Sequence, residues 1–222
     1  MKSVLTKYGN LPMTAATLAL EFPDIRKPGQ KIGLLEQKGD IIRLKRNLYV
    51  CPEETTGKTL SPELIANRLL SPSYVSISSA LRYYGLIPEA VYVTQSMTTK
   101  ESREYETPVG RFVFTRMKTD AFNIGIRNVE ENGYSFLIAS PEKALCDLIA
   151  NTPSLLLRYR KEALGYLEDD IRMDMEAFYK FNPAIFEQYI AAGGKKASSV
   201  RTILKLLTQH GKRDLRQNAV EV

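Results

Sequence analysis

The sequence predicts an α+β chain built in two parts, and three observations carry that reading. Residues 1–53 hold three short stretches of helical spacing followed by two short apolar–polar alternating runs. Residues 54–60 show no apolar periodicity and are expected to be a linker. Residues 61–222 interleave helix-start signatures with strand-like runs and then end in helices. At 222 residues and 44% hydrophobic content, the chain is long enough for one large or two small cores, and the composition break favours two.

In chain order, Val4, Leu5 and Tyr8 have helical spacing and stop at Gly9. Thr14 is placed to cap a second helix through Ala15, Leu18 and Ala19 towards Phe22, closed by Pro23. Pro28 suits a first helical turn, where its missing N–H is not needed, and Ile32 and Leu35 share the inner face of a helix over Pro28–Lys38. Ile42 and Leu44 then alternate with Arg43 and Lys45 as a half-buried strand. Lys45, Arg46 and Asn47 form the turn, and Leu48 and Val50 return on the apolar side with Tyr49 exposed or at the edge. Asn47 tolerates the left-handed backbone that such a turn requires.

Three short helices and a basic hairpin within about fifty residues match the layout of a winged helix-turn-helix. Charge supports this: Arg26 to Val50 carries seven Lys or Arg against Glu36 and Asp40, a net +5 out of +6 for the whole chain. Lys27, Gln30 and Lys31 on the helix face and Arg43, Lys45, Arg46 and Asn47 on the hairpin are the expected contacts to double-stranded DNA, since a helix enters the major groove while basic loops meet phosphate. The competing reading is a solvated basic hairpin with no ligand.

The second part opens with Ser61-Pro62-Glu63, a capping hydroxyl, a first-turn proline and an acid at the positive helix end, with Leu64, Ile65, Leu69 and Leu70 inward. SYVSISSALRYYGLIPE reads as a helix through Ile77, Ala80, Leu81 and Tyr84 closed by Gly85. Val91–Ser96, Arg111–Thr115 and Tyr134–Ala139 read as strands, with a loop or hairpin between the first two; Ser140-Pro141-Glu142 repeats the cap signature before a helix from Lys143 to Ala150. Pro183–Ala192 and Ser198–Gln209 are expected as helices separated by Gly193 and Gly194.

The run GDIIRLKRNLYVCP resembles the wing of the AbiEi-type antitoxin family of type IV toxin-antitoxin (abortive infection) systems, with Asn47 standing where that pattern has Gly. YGLIPE leading into VTQSMT, a basic turn and TPVGRF, together with ASPEKALCDLI, is similar to the same family's second domain. The resemblance covers Gly39 to Ile149 closely and the C-terminal helices loosely. It implies a DNA-binding antitoxin that represses its own promoter at inverted repeats and counteracts a nucleotidyltransferase-like toxin. Direct toxin binding is not required of a type IV antitoxin, and an inverted repeat admits a homodimer on the DNA. A stand-alone winged-helix regulator, whose larger part senses a ligand or mediates assembly, is the alternative.

Beyond Asn151 the charge is segregated. Glu162–Glu187 has seven acids and two bases, and Gly193–Arg216 has seven bases and one acid. Arg201 and Lys205 share the outer face of the last helix, with Lys195, Lys196, Lys212 and Arg213 flanking it. A second DNA contact, a toxin contact and a solvated face are equal readings. No nucleophile–base pair, metal-ligand spacing or phosphate loop is legible, so no catalytic, cofactor or metal residues are assigned and no enzyme is expected. GGKKASS lacks P-loop spacing; Glu168, Asp169, Asp170 and Asp174 read as hydrated acids; His210 sits at a helix end. Cys51 and Cys146 lie far apart; Cys146 reads as core on the helix of EKALCDLI, and Cys51 falls at a strand end with no special role. With no span-length apolar run and no secretory stretch in MKSVLTKYGN, the expected location is cytoplasmic.

Overall fold

A computed structural model describes residues 2–88, 92–117 and 120–218 of the chain, with side chains from Val4 to Gln209 within those spans. The fold is mixed α/β. The N-terminal part runs α1 (Lys2–Thr6), β1 (Met13–Thr14), α2 (Ala15–Ala19), α3 (Pro28–Gln37), β2 (Ile42–Lys45) and β3 (Leu48–Val50). Thr14 caps α2 as expected, its hydroxyl accepting from Thr17 N at 3.0 Å, and Pro28 begins α3. The three strands form an antiparallel sheet in the order β1-β3-β2. Asn47 adopts φ 63° in the turn, and its carbonyl accepts from Ala15 N at 3.3 Å, which ties the hairpin tip to the start of α2.

The central strand β3 is buried on both faces, whereas the alternation predicts one. Ile41, Tyr49 and Cys51 join Leu5, Met13, Leu18, Ile32 and Leu35 in an N-terminal cluster. Leu44, Leu48 and Val50 join the core of the second part. Tyr49, expected to be exposed or at the edge, is therefore only 6% exposed, because β3 alternates between two cores rather than between core and water.

Residues 54–60 are likewise not a bare connector: α4 (Glu53–Thr56) is closed by Gly57 at φ 69° and packs on α1. Asn10 then donates from Nδ2 to the Thr59 carbonyl at 2.7 Å.

The second part is a six-stranded sheet. Its strands are β4 (Ser73–Val75), β5 (Val93–Thr98), β6 (Arg103–Thr107), β7 (Gly110–Arg116), β8 (Ile126–Glu131) and β9 (Tyr134–Ala139), in the order β6-β7-β5-β4-β9-β8. β5 pairs parallel with β7 and β4 parallel with β9; the other neighbours are antiparallel. The connection between β5 and β7 is thus a hairpin strand at the sheet edge. β4 lies in the stretch read as helix, since three residues buried on both faces carry no alternation. Val91 lies outside the described residues.

Helices α5 (Pro62–Leu69), α6 (Ile77–Tyr83) and α7 (Pro141–Asn151) pack on this sheet, and Ser61 and Ser140 cap α5 and α7 as expected. Outside them lie α8 (Arg160–Gly165), a π-helical turn at Tyr166–Asp170, α9 (Met175–Phe178), α10 (Pro183–Ala191) and α11 (Ala197–Asn218). The apolar spacing of α10 and α11 points Phe186, Tyr189 and Ile190, and Ile203, Leu204 and Leu207, inward; Phe186, Tyr189, Ile203 and Leu207 are buried, while Ile190 and Leu204 are half-buried. Gly194 has no room for a side chain, because a Cβ would fall 2.1 Å from the Tyr189 ring.

Inside this core sits an ion pair that helical spacing alone does not reveal. Lys143 and Asp147, one turn apart on α7, are fully buried with Nζ 2.9 Å from Oδ1. The other carboxylate oxygen accepts from Ser76 Oγ at 2.7 Å and from the Tyr74 hydroxyl at 3.0 Å. Lys143 Nζ also lies 4.9 Å from the centre of the Tyr189 ring. Burial pushes the Asp147 carboxyl up, against the opposing pull of Lys143, Ser76 and Tyr74. The network joins β4, α7 and α10, so its members are structural ties within the core.

Candidate nucleic-acid interface

Helix α3 buries Ile32 and Leu35 against the N-terminal cluster, which fixes which side faces outward. Gln30, Leu34 and Gln37 are all exposed, and Lys27 precedes them at the N-cap position. With spacings of three, four and three residues, these side chains form one stripe along the helix. Leu34 is 51% exposed although its type suggests core. Arg26, Lys27, Gln30 and Leu34 border a shallow depression of about 400 Å³. Gly29 and Gly33 lie on this helix with nothing within 4 Å of a notional Cβ, so packing within the protein does not demand glycine at either position.

The sequence-expected contacts separate into two groups. Lys27, Gln30, Arg43, Arg46 and Asn47 are exposed, and among the described residues no ion pair engages Arg26, Lys27, Arg43 or Arg46. Lys31 instead turns back over the Phe22 ring, 5.6 Å from its centre. Lys45 departs furthest from expectation. The register of the hairpin shifts between Arg43 and Lys45, so that Lys45 pairs with Leu48 rather than continuing the alternation. This β-bulge turns Lys45 to the face that Leu44 and Leu48 occupy, towards the second part of the molecule. There Nζ donates to the Leu69 carbonyl at 2.5 Å and lies 5.7 Å from the Tyr105 ring centre. Leu34 and Gln37 were legible from their spacing to Gln30, but neither carries the charge that marks its neighbours.

In the C-terminal basic region, Lys195, Arg201 and Lys205 are exposed. Lys196 is half-buried at φ 56° and donates to the Thr152 carbonyl, and burial followed by Lys195 lowers its pKa. Lys195 also lines a cavity of about 450 Å³ with Arg116, Asn151 and Tyr189. The side chains of His210, Lys212 and Arg213 lie outside the described residues.

Of the acids, Glu168, Asp169 and Asp170 are exposed on the π-helical turn and Asp174 caps α9. Among the described residues no group of three or more His, Cys, Asp or Glu is placed to hold a metal ion, and no helix is long and apolar enough to cross a membrane. Cys51 and Cys146 are both buried free thiols. Comparison of the sequence with protein-family models and with curated proteins finds no match.

Proposed function

We propose that the chain is a sequence-selective DNA-binding regulator of the AbiEi antitoxin kind. In this reading it represses its own promoter at an inverted repeat and counteracts a nucleotidyltransferase-like toxin in the cytoplasm, with no catalytic role of its own. The observation that carries it is the exposed stripe Lys27, Gln30, Leu34 and Gln37 on a helix whose opposite side is buried, followed by a hairpin with Arg43, Arg46 and Asn47 exposed. The order helix, strand, helix, helix, strand, strand, with β1 paired to β3, is compatible with a winged helix and supports the same reading.

Each residue type on the stripe has a use in a major groove. A glutamine amide can bond the adenine edge in two places, and an exposed leucine can meet a thymine methyl. Arg43 and Arg46 supply the phosphate contacts that position the helix without reading sequence. The antitoxin assignment rests on the family resemblance of the wing and of the second part, over Gly39 to Ile149.

Gel-shift titration of the full chain on its own upstream DNA, against a scrambled duplex of equal length, tests the reading. A preference for the native duplex that weakens in Gln30→Ala supports it. Equal affinity for both duplexes at physiological salt would sink it. Co-expression with the neighbouring toxin gene then separates repression from growth rescue.

A further inference from the structure

The six-stranded sheet ends at β6 on one side and at β8 on the other. β6 lies against the N-terminal hairpin, where Lys45 Nζ sits 5.7 Å from the centre of the Tyr105 ring. β8 differs: among the described residues β9 is its one strand partner, and no further backbone hydrogen bond reaches Ile126–Glu131. Its register with β9 is unbroken from Ile126↔Ala139 to Glu131↔Tyr134, and the strand IRNVEE holds no proline, lysine or bulge. Those are the usual devices that close an exposed edge to pairing.

The hairpin fixes which backbone groups face outward. Glu131 and Tyr134 flank a two-residue loop, with Asn132 at φ 54° and Gly133 at φ 82°, and residues that flank such a loop bond to each other. Glu131, Val129 and Arg127 therefore bond to β9, while the N–H and C=O groups of Glu130, Asn128 and Ile126 point away from it. Side chains alternate between the two faces of the sheet. Arg127, Val129 and Glu131 share the face next to the end of α6, where Glu131 accepts from the Tyr83 hydroxyl at 3.2 Å and Arg127 lies 6.0 Å from the Tyr84 ring centre. Ile126, Asn128 and Glu130 share the other.

The edge carries charge, and charge of one sign would repel a second copy. The order of residues on β8 is instead self-complementary. Antiparallel pairing about a twofold axis through Val129, perpendicular to the sheet, sets Arg127 opposite Glu131 of the second copy and Glu131 opposite its Arg127. Val129 then meets Val129, and the outward backbone groups of Asn128 and Glu130 pair with each other. Arg127 and Glu131 fall at the sites without backbone bonds between the copies, where opposed side chains come closest. Moving the axis to Asn128 sets Arg127 against Val129 and Ile126 against Glu130, and both charge pairs are lost.

We propose that β8 is a dimerisation edge, at which two copies of this chain pair antiparallel about Val129 and continue one sheet into the other. The proposal stands on the strand edge and does not rest on the regulatory reading, although a twofold assembly matches the symmetry of an inverted repeat.

The test is sedimentation velocity of the full chain without DNA, at about 0.15 M salt and up to about 300 µM protein. The expected result is a reversible monomer–dimer equilibrium in the micromolar range. Arg127→Glu sets like charges opposite each other at both ends of the pairing and should weaken the dimer by about tenfold or more, as should Glu131→Arg. The double variant re-forms both pairs with their signs exchanged and should return the dissociation constant to within about threefold of the original. Asn128→Pro removes an N–H from the outward side alone, so it should abolish the dimer while the β8–β9 bonds remain. Circular dichroism confirms that each variant is folded. A chain that stays monomeric at about 300 µM would overturn the proposal, and so would a dimer that Asn128→Pro leaves intact or that the double variant leaves as weak as the single ones. A monomer in this assay leaves the DNA reading untouched, and equal affinity for native and scrambled duplex leaves the edge untouched.

Discussion

Lys45 Nζ donates to the carbonyl oxygen of Leu69 at 2.5 Å, binding the hairpin to the second part of the molecule. The neighbouring Arg46 is exposed and makes no ion pair among the described residues. Two adjacent basic residues therefore have separable roles. Lys45→Ala is expected to lower stability by about 1–2 kcal/mol, as for a partly buried charged hydrogen bond, and to leave DNA affinity nearly unchanged. Arg46→Ala should change stability by less than about 0.5 kcal/mol and reduce the log–log salt slope of DNA binding by about one. Urea melts and salt-dependent gel shifts on the same two proteins decide the matter; the opposite pattern would return Lys45 to the phosphate face.

Shared burial leads to a prediction about separability. Leu44, Leu48 and Val50 lie in the core of the second part, so a fragment ending at Glu53 leaves all three facing water. The fragment Met1–Glu53 is expected to be largely unfolded by circular dichroism, and the full chain to melt in one transition. Leu48→Ala should lower that single midpoint, at a cost of about 2–4 kcal/mol. A cooperative melt from the isolated fragment would show that the sequence-expected boundary is a folding boundary after all.

What the sequence disclosed follows from how local each signal is. Caps act over three residues, so Thr14, Ser61 and Ser140 were readable, and β9 fell where its alternation placed it. β4 was not readable, because Ser73–Val75 lies inside the sheet with both faces covered. The side of Lys45 depends on a one-residue bulge, and a bulge leaves no mark in an alternating pattern. Lys143 and Asp147 have the spacing of an exposed helix pair, and only tertiary packing reveals that both are buried. In the candidate interface, charge drew attention to Lys31, which stacks on Phe22, and away from uncharged Leu34 and Gln37.

Gly33 offers a test of the exposed stripe that uses no charge. It sits mid-helix in α3, and nothing within 4 Å would meet an added methyl. Gly33→Ala should therefore raise stability by up to about 1 kcal/mol from helix propensity alone. If this face enters a groove, the same methyl stands between helix and DNA, and affinity should fall several-fold. A variant that is more stable and binds equally well would place the contact on another face.

The buried pair predicts a pH effect of definite sign. Lys143→Met leaves Asp147 without its cation, so the carboxyl, already raised by burial, rises further. Between the unfolded value near 4 and this raised value the folded state binds more protons, so stability falls as pH increases through that window. The variant should be destabilised by about 3–5 kcal/mol at neutral pH and recover part of that loss on acidification. Denaturant midpoints measured from pH 4 to 8 check this, and a loss independent of pH would mean that Asp147 stays ionised without Lys143.

The two thiols give an independent measure of whether the parts open together. Cys51 belongs to the N-terminal cluster and Cys146 to the main core, and both are fully buried. Burial, followed by the Asp40 carboxylate, pushes the Cys51 thiol up to about 11; burial, then Asp147, holds Cys146 well above its usual value. A raised thiol pKa contributes stability below the unfolded value near 8.5 that is lost as pH climbs through the folded value, so at pH 8 both thiols are neutral and enclosed in the native state. Alkylation at that pH then proceeds only through opening, and its rate reports the free energy of the opening that exposes each thiol. If β3 binds the two cores into one unit, Cys51 and Cys146 should react at rates within about threefold of each other, and Leu48→Ala should accelerate both by a similar factor. Mass-spectrometric time courses resolve the two sites in one sample. Labelling of Cys51 more than about tenfold faster than Cys146 would correspond to a separate opening of the N-terminal part at a cost at least 1.4 kcal/mol lower, and the shared burial of Leu44, Leu48 and Val50 would then be too weak to couple the parts.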